Sequence, residues 1–248
     1  MKRLAGLAVT AGRKVTSLQW DVARTPFETT NWIGRYPEIG GVTNPLIRKA
    51  VGIWARDAIL KWSKSDDQGL LICEAPLIGN RFGELTQILG DPSEGVLAHP
   101  ETLFIIPVPS LKIRRVIELA RARTQAAPKN HYEAKDAPVE VIHKLWLQLA
   151  QLRENAYLGV HAQGIRSTST PYDPEIYAAT YQHILRNRKC LRLNIEQKIY
   201  DRDSVYDFGV KVHRLIATES EADSLMADVA RKYTIETLER ETNEWFMR

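Results

Sequence analysis

Two acids stand where strand-forming runs stop: Asp21 in Leu18-Gln19-Trp20-Asp21-Val22-Ala23-Arg24, and Glu74 in Leu70-Leu71-Ile72-Cys73-Glu74-Ala75-Pro76. Open parallel sheets gather ligands at the carboxyl ends of their strands, so acids placed there face the crevice. An acid ending a short apolar strand can hold Mg2+ directly or through water. The plainer alternative is that each acid opens a surface loop. Three residues after Asp21 comes Arg24, with Arg35 further along. In such a pair the acid can take a hydroxyl proton while the arginine grips a phosphate or a sugar. Against this stands a loop salt bridge of little energetic weight.

Other segments carry charge without a complete motif. Ala75–Arg81 leads from Glu74 towards a helix expected to start near Asn80, placing Arg81 in its first turn. Gly40-Gly41 precedes a helical pattern and could offer backbone N–H groups to an anion, or simply form a turn. Between Lys112 and Lys129 six basic residues (Lys112, Arg114, Arg115, Arg121, Arg123, Lys129) face one acid, Glu118. A mobile arginine-bearing helix can close over a transferred phosphoryl group. A solvated helix face is the competing reading. A nucleic-acid patch is the weakest, because no stacking aromatics are interleaved. The six histidines are dispersed, so no zinc site is expected, and no nucleophile elbow occurs.

The elements that must position these residues alternate. Strands are expected at Lys14–Trp20, Gly69–Cys73, Leu103–Val108 and Leu191–Ile195. The middle two are almost wholly apolar, as strands covered on both faces are. Asn44–Ser63 places Ile47, Val51, Trp54, Ala58 and Trp62 on one stripe, opposite Arg48, Lys49, Arg56 and Lys61, with Asn44 as cap and Pro45 in the first turn. Ser110–Thr124 and Val139–Arg153 are similarly periodic. Helices are also expected over Glu175–Arg188, Thr218–Tyr233 and Thr234–Met247, with a polar loop at Gly164–Pro174. Thr218 and Glu221 have the spacing of a capping box. This alternation predicts an α/β fold built on a mostly parallel, doubly wound sheet. The expected organisation is one domain over 1–248: a core at 1–155, then a strand and helices at 156–248 that complete and cover the sheet. Trp245 and Phe246 either anchor a partner or pack back on the domain.

The 248 residues, 44% apolar and 26% charged, suffice for a sizeable core. A formal net charge of +4 is too small to imply nucleic-acid binding. No apolar run is long enough to span a membrane. The N-terminus has a basic start like a signal peptide, but its apolar part is short and broken by glycines. Cys73 and Cys190 are expected to be buried, reduced thiols of a cytoplasmic protein.

Three pieces taken together resemble the P-loop kinase fold, as in the nucleoside and nucleotide kinases. They are the acid-ended strand with its D-x-x-R segment, the LLICEAP strand with its G-N-R turn, and the FIIPVP strand feeding an arginine-rich helix. The likeness is one of order and residue type over roughly Met1–Arg153. It implies a three-layer fold, ATP and Mg2+ as cofactors, and a small-molecule acceptor. By that resemblance Asp21, Glu74, Arg115 and Arg121 are catalytic, and Glu74 also holds the metal. Arg81 and Arg123 then contact the nucleotide, Asp21, Arg24 and Arg35 hold the acceptor, and Arg115, Arg121 and Arg123 belong to a lid. The phosphate-binding G-x-x-x-x-G-K-[ST] is expected upstream of Met1, and Lys14, which precedes a strand, cannot replace it. The chain then either starts at an internal methionine of a longer protein or is a degenerate relative, and a non-catalytic binding or assembly role on the same fold is the alternative. A homo-oligomer stays open.

Overall fold

The computed structural model describes residues 1–29, 31–65, 69–128, 138–158, 170–198 and 207–247. Its helices are α1 (Lys2–Thr10), α2 (Trp20–Ala23), α3 (Thr25–Thr29), α4 (Trp32–Arg35), α5 (Pro45–Ser63), α6 (Glu94–Leu97), α7 (Leu111–Ala126), α8 (Val139–Leu158), α9 (Pro174–Ile184), α10 (Glu219–Lys232) and α11 (Ile235–Asn243). The strands are β1 (Val15–Gln19), β2 (Leu70–Glu74), β3 (Phe104–Pro109), β4 (Cys190–Ile195) and β5 (His213–Arg214). The chain is thus mixed α/β, and its strands pair in parallel. They form two sheets, β2-β1-β5 and β3-β4. Two compact units result: Met1–His99 with Asp201–Arg248, and Pro100–Tyr200. The boundary expected at residue 155 falls inside α8 of the second unit.

In the first unit the buried strand is not the apolar LLICE but the mixed VTSLQ of β1. All five β1 residues are buried, because β1 has neighbours on both sides. β2 has one paired neighbour among the described residues, which leaves most of its side chains half-buried. Local signals set the helix ends. Gly12 adopts φ 76° after α1, a left-handed value that a Cβ disfavours. Asn44 Oδ1 accepts from Leu46 N at 3.0 Å to start α5. The capping box of α10 forms as its spacing predicts: Thr218 Oγ1 accepts from Glu221 N at 3.2 Å, and Glu221 Oε2 accepts from Thr218 N at 2.9 Å. The helix expected near Asn80 is replaced by a tight turn and a single 3-10 turn, Gly83–Leu85. Trp245 packs back and is buried.

α5 departs most from its expected role. Arg48, Lys49 and Arg56, placed on the polar face by periodicity, are buried, while Lys61 alone of that group stays in solvent. The reason is that α5 is packed by α3, α6, α10, α11 and the 3-10 turn, so more than one face is covered. Each buried cation is matched. Lys49 Nζ lies 3.1 Å from both Glu84 Oε1 and Glu241 Oε2. Arg56 grips Asp91 with two bonds of 2.7 and 2.6 Å and donates to the carbonyls of Glu84 and Gln87. Arg48 donates to the carbonyls of Thr43, at 2.8 Å, and of Gly79.

In the second unit the register Phe104↔Cys190 to Pro109↔Ile195 sets which backbone groups face β4. Phe104 N bonds Lys189 O and Ser110 N bonds Ile195 O, so the even-numbered residues of β3 face β4. Pro107 and Pro109 therefore put their missing donors on the outer edge, where proline is tolerated and where it discourages further pairing. Ile105, Leu191 and Leu193 are exposed on one face, so the expectation of cover on both faces fails for β3 as well. Behind the other face, Trp146, Tyr172, Tyr177 and Tyr181 form a chain of ring contacts at 4.8–5.9 Å.

Candidate functional site

β1 and β2 run parallel from Val15↔Leu70 to Gln19↔Glu74. Their carboxyl ends lie side by side, and Gln19 Nε2 donates to Glu74 Oε2 at 3.2 Å. Glu74 is exposed at that edge. Asp21 follows two residues after Gln19 in the first turn of α2, with its side chain partly exposed. Glu74 thus ends β2 as expected, whereas Asp21, expected to end the first strand, lies beyond β1 in α2.

Arg24 is committed elsewhere. Its guanidinium is buried, with Glu28 at 2.6 Å, Glu38 at 3.0 Å and Thr43 Oγ1 at 3.1 Å. Its Nε lies 3.3 Å from Asp21 Oδ1, without the alignment of a hydrogen bond. Burial alone would lower its proton affinity, but the carboxylates of Glu28, Asp21 and Glu38 outweigh burial and raise it. Arg24 therefore fastens the loops around Asp21, and the salt-bridge alternative accounts for its contacts. Arg35 is exposed, its guanidinium 5.6 Å from the centre of the Tyr36 ring. Gly40 and Gly41, both left-handed, form the tip of a turn closed by paired bonds between Ile39 and Val42. That turn, rather than a helix N-terminus, uses their backbone.

The segment after Glu74 is strained. Leu77, Asn80 and Phe82 all have positive φ, at 60°, 61° and 56°. Each such residue costs on the order of 1–3 kcal/mol, and strain of this kind collects at functional sites. Packing holds the turn in place: Phe82 is wholly buried, with its ring edge-on to Trp20 at 5.2 Å, and Leu77 N bonds Arg81 O at 2.9 Å. Arg81 is half-buried, with Nε donating to Ile78 O at 3.2 Å. Burial, then the positive charges of Arg81 and Arg24, pushes Arg48 down to about 10. Next to the edge, burial and the charge of Glu74 push the Cys73 thiol up to about 12, so it is inert at neutral pH.

The remaining candidates lie in the second unit, on α7. Lys112, Arg115 and Arg123 are exposed, whereas Arg121 is half-buried. Arg114 bonds Glu118 at 2.7 Å and covers the Tyr172 ring at 5.1 Å. Lys129, His131 and His161, like most of the expected polar loop, lie outside the described residues.

Sequence reasoning missed the buried ion pairs of α5 and the left-handed run at 77–82. Gly52 inside α5 was the available signal, because a glycine within a helix marks close approach of another chain segment. Among the described residues no three of His, Cys, Asp and Glu cluster as a metal cage, and no helix is long and apolar enough to cross a membrane. Compared with known proteins, the chain matches no family model, no curated protein and no solved structure.

Proposed function

We propose that the first unit binds a magnesium nucleotide in the manner of P-loop kinases and transfers a phosphoryl group to a small acceptor. One observation supports this reading: the parallel register Gln19↔Glu74, which sets Glu74 beside the carboxyl end of β1, two residues before Asp21 in the chain. The donor set suits the metal, because Mg2+ favours oxygen ligands and needs only one or two carboxylates beside the phosphate oxygens. Glu74 would hold it, oriented by the Gln19 amide, and the bound metal would neutralise charge on the transferred group. Asp21 would accept the acceptor's hydroxyl proton, and Arg81, on its strained turn, would contact the nucleotide. The three-layer fold belongs to this proposal too, whereas Arg115, Arg121 and Arg123 lie on α7 of the second unit and are given no part in it.

Glu74→Gln tests the assignment. Nucleotide turnover is expected to fall about 100-fold or more, with the folded state kept, since the amide preserves size at an exposed position. Turnover at the parent rate would remove Glu74 from the mechanism.

A second reading, a non-catalytic binding or assembly protein, is favoured by α7. There Leu111 and Leu119 are exposed beside Lys112, Arg115 and Arg123.

A further inference from the structure

Within its own unit α7 packs on β3 and α8, and Ile113 is buried on that inner side. On the outer side Leu111, Arg115, Leu119, Ala122 and Ala126 follow at spacings of four, four, three and four, which keeps them on one face of the helix. All five are exposed, Leu111 at 54% and Leu119 at 60%. Lys112 and Arg123, also exposed, stand about three turns apart and so on one flank of that stripe. Among the described residues the side chains of Lys112, Arg115 and Arg123 make neither a hydrogen bond nor an ion pair. The acid of this helix does not balance them, because Glu118 is half-buried, 2.7 Å from Arg114 Nε and 3.3 Å from His143 Nε2. The outer face thus joins an apolar stripe to three unmatched positive charges.

We infer that this face of α7 docks an acidic amphipathic helix of a partner protein, one that carries leucines along its seam and carboxylates beside them. Spacings of three and four are those of a helix-to-helix seam, in which Leu111 and Leu119 act as knobs. Ala122 and Ala126 keep the profile low, so a second helix can approach to the ~8–10 Å of packed pairs. The charges choose the partner's sign: Lys112, Arg115 and Arg123 attract carboxylates and repel a basic helix. They also reject a second copy of this chain, since a two-fold contact through α7 would bring the same cations together. A lipid surface favours large apolar or aromatic side chains on the buried face, where α7 carries two alanines. The inference rests on the binding reading given for α7 above and is independent of the strand-end site in the first unit.

The test is a titration of the full chain into a fluorescent three-heptad peptide with leucine at a and d and glutamate at e and g, followed by anisotropy. Saturable binding is expected, weakened tenfold or more at about 0.5 M salt. The same peptide with lysine at e and g should not bind. Leu119→Ser and the double variant Arg115→Glu/Arg123→Glu should each weaken binding tenfold or more. All three positions are exposed, so the circular dichroism spectrum should stay that of the parent. The inference is overturned if the acidic peptide does not bind, if the lysine peptide binds as well, or if both variants bind like the parent. Single-stranded RNA and phosphatidylserine vesicles separate the two failures. Binding of either one through Arg115 and Arg123, without the peptide, would remove the helical partner and keep a binding role for α7. No binding of peptide, RNA or vesicles would remove both.

Discussion

Lys49→Met is expected to destabilise the first unit by about 3–5 kcal/mol, the cost of leaving buried charge without its partner. Lys49 lies between two buried carboxylates, Glu84 with 0% and Glu241 with 5% exposure. Methionine fills similar volume but supplies no charge, so the loss is electrostatic. Urea unfolding of the parent, Lys49→Met, Glu84→Gln and the double variant separates the contributions. Glu84→Gln alone should be near neutral or stabilising at pH 7, since Lys49 keeps Glu241, and it should recover part of the loss in the double variant. The pH dependence has a definite sign. Burial holds the Glu84 carboxyl above its ordinary value of 4.5, against the pull of Lys49. For Lys49 the two carboxylates outweigh burial and hold the ammonium above 10.5. At both groups the folded chain binds protons more tightly than the unfolded chain, so both lose stability as pH rises. Glu84 does so from 4.5 upward to its folded value. Lys49 does so above 10.5, as pH passes its folded value. From pH 4.5 up to the folded value of Glu84 the parent-minus-Glu84→Gln difference should therefore fall with rising pH. A flat difference would contradict the burial of that carboxylate.

Gly52→Ala should destabilise by at least about 2–3 kcal/mol, although the same change in an open helix stabilises by roughly 1 kcal/mol. A Cβ at Gly52 would lie 1.8 Å from Glu84 Oε2 and 2.5 Å from Cδ. Glu84 is wholly buried, so its carboxylate has no room to retreat and would have to leave Lys49. Gly6 in α1 supplies the control, since nothing lies within 4 Å of a Cβ added there. Gly6→Ala should raise the thermal midpoint while Gly52→Ala lowers it. If both raised it, α5 would not be in contact with Glu84.

These two sites mark the limit of what the sequence makes legible. Periodicity and capping locate α5, α7 and α10, because Asn44, Ser110 and Thr218 act within their own first turns. The strand-ending acid Glu74 is equally local, whereas Asp21 falls past the end of β1 in α2. Periodicity assigns one apolar face to a helix, and α5 is covered on more than one. Its partners Glu84 and Glu241 come from distant segments, so Lys49 reads as a surface residue. Apolar content likewise named β2 and β3 as the covered strands, whereas neighbour order made β1 the buried one. The left-handed values at Leu77 and Phe82 follow from packing, and neither residue type announces them.

Calorimetric titration of magnesium ATP into the full chain is the most direct test of the strand-end site. Saturable heat that disappears without Mg2+ and weakens tenfold or more in Glu74→Gln is the predicted result. No heat at millimolar nucleotide, or equal binding by the parent and Glu74→Gln, would contradict the site and leave the non-catalytic reading.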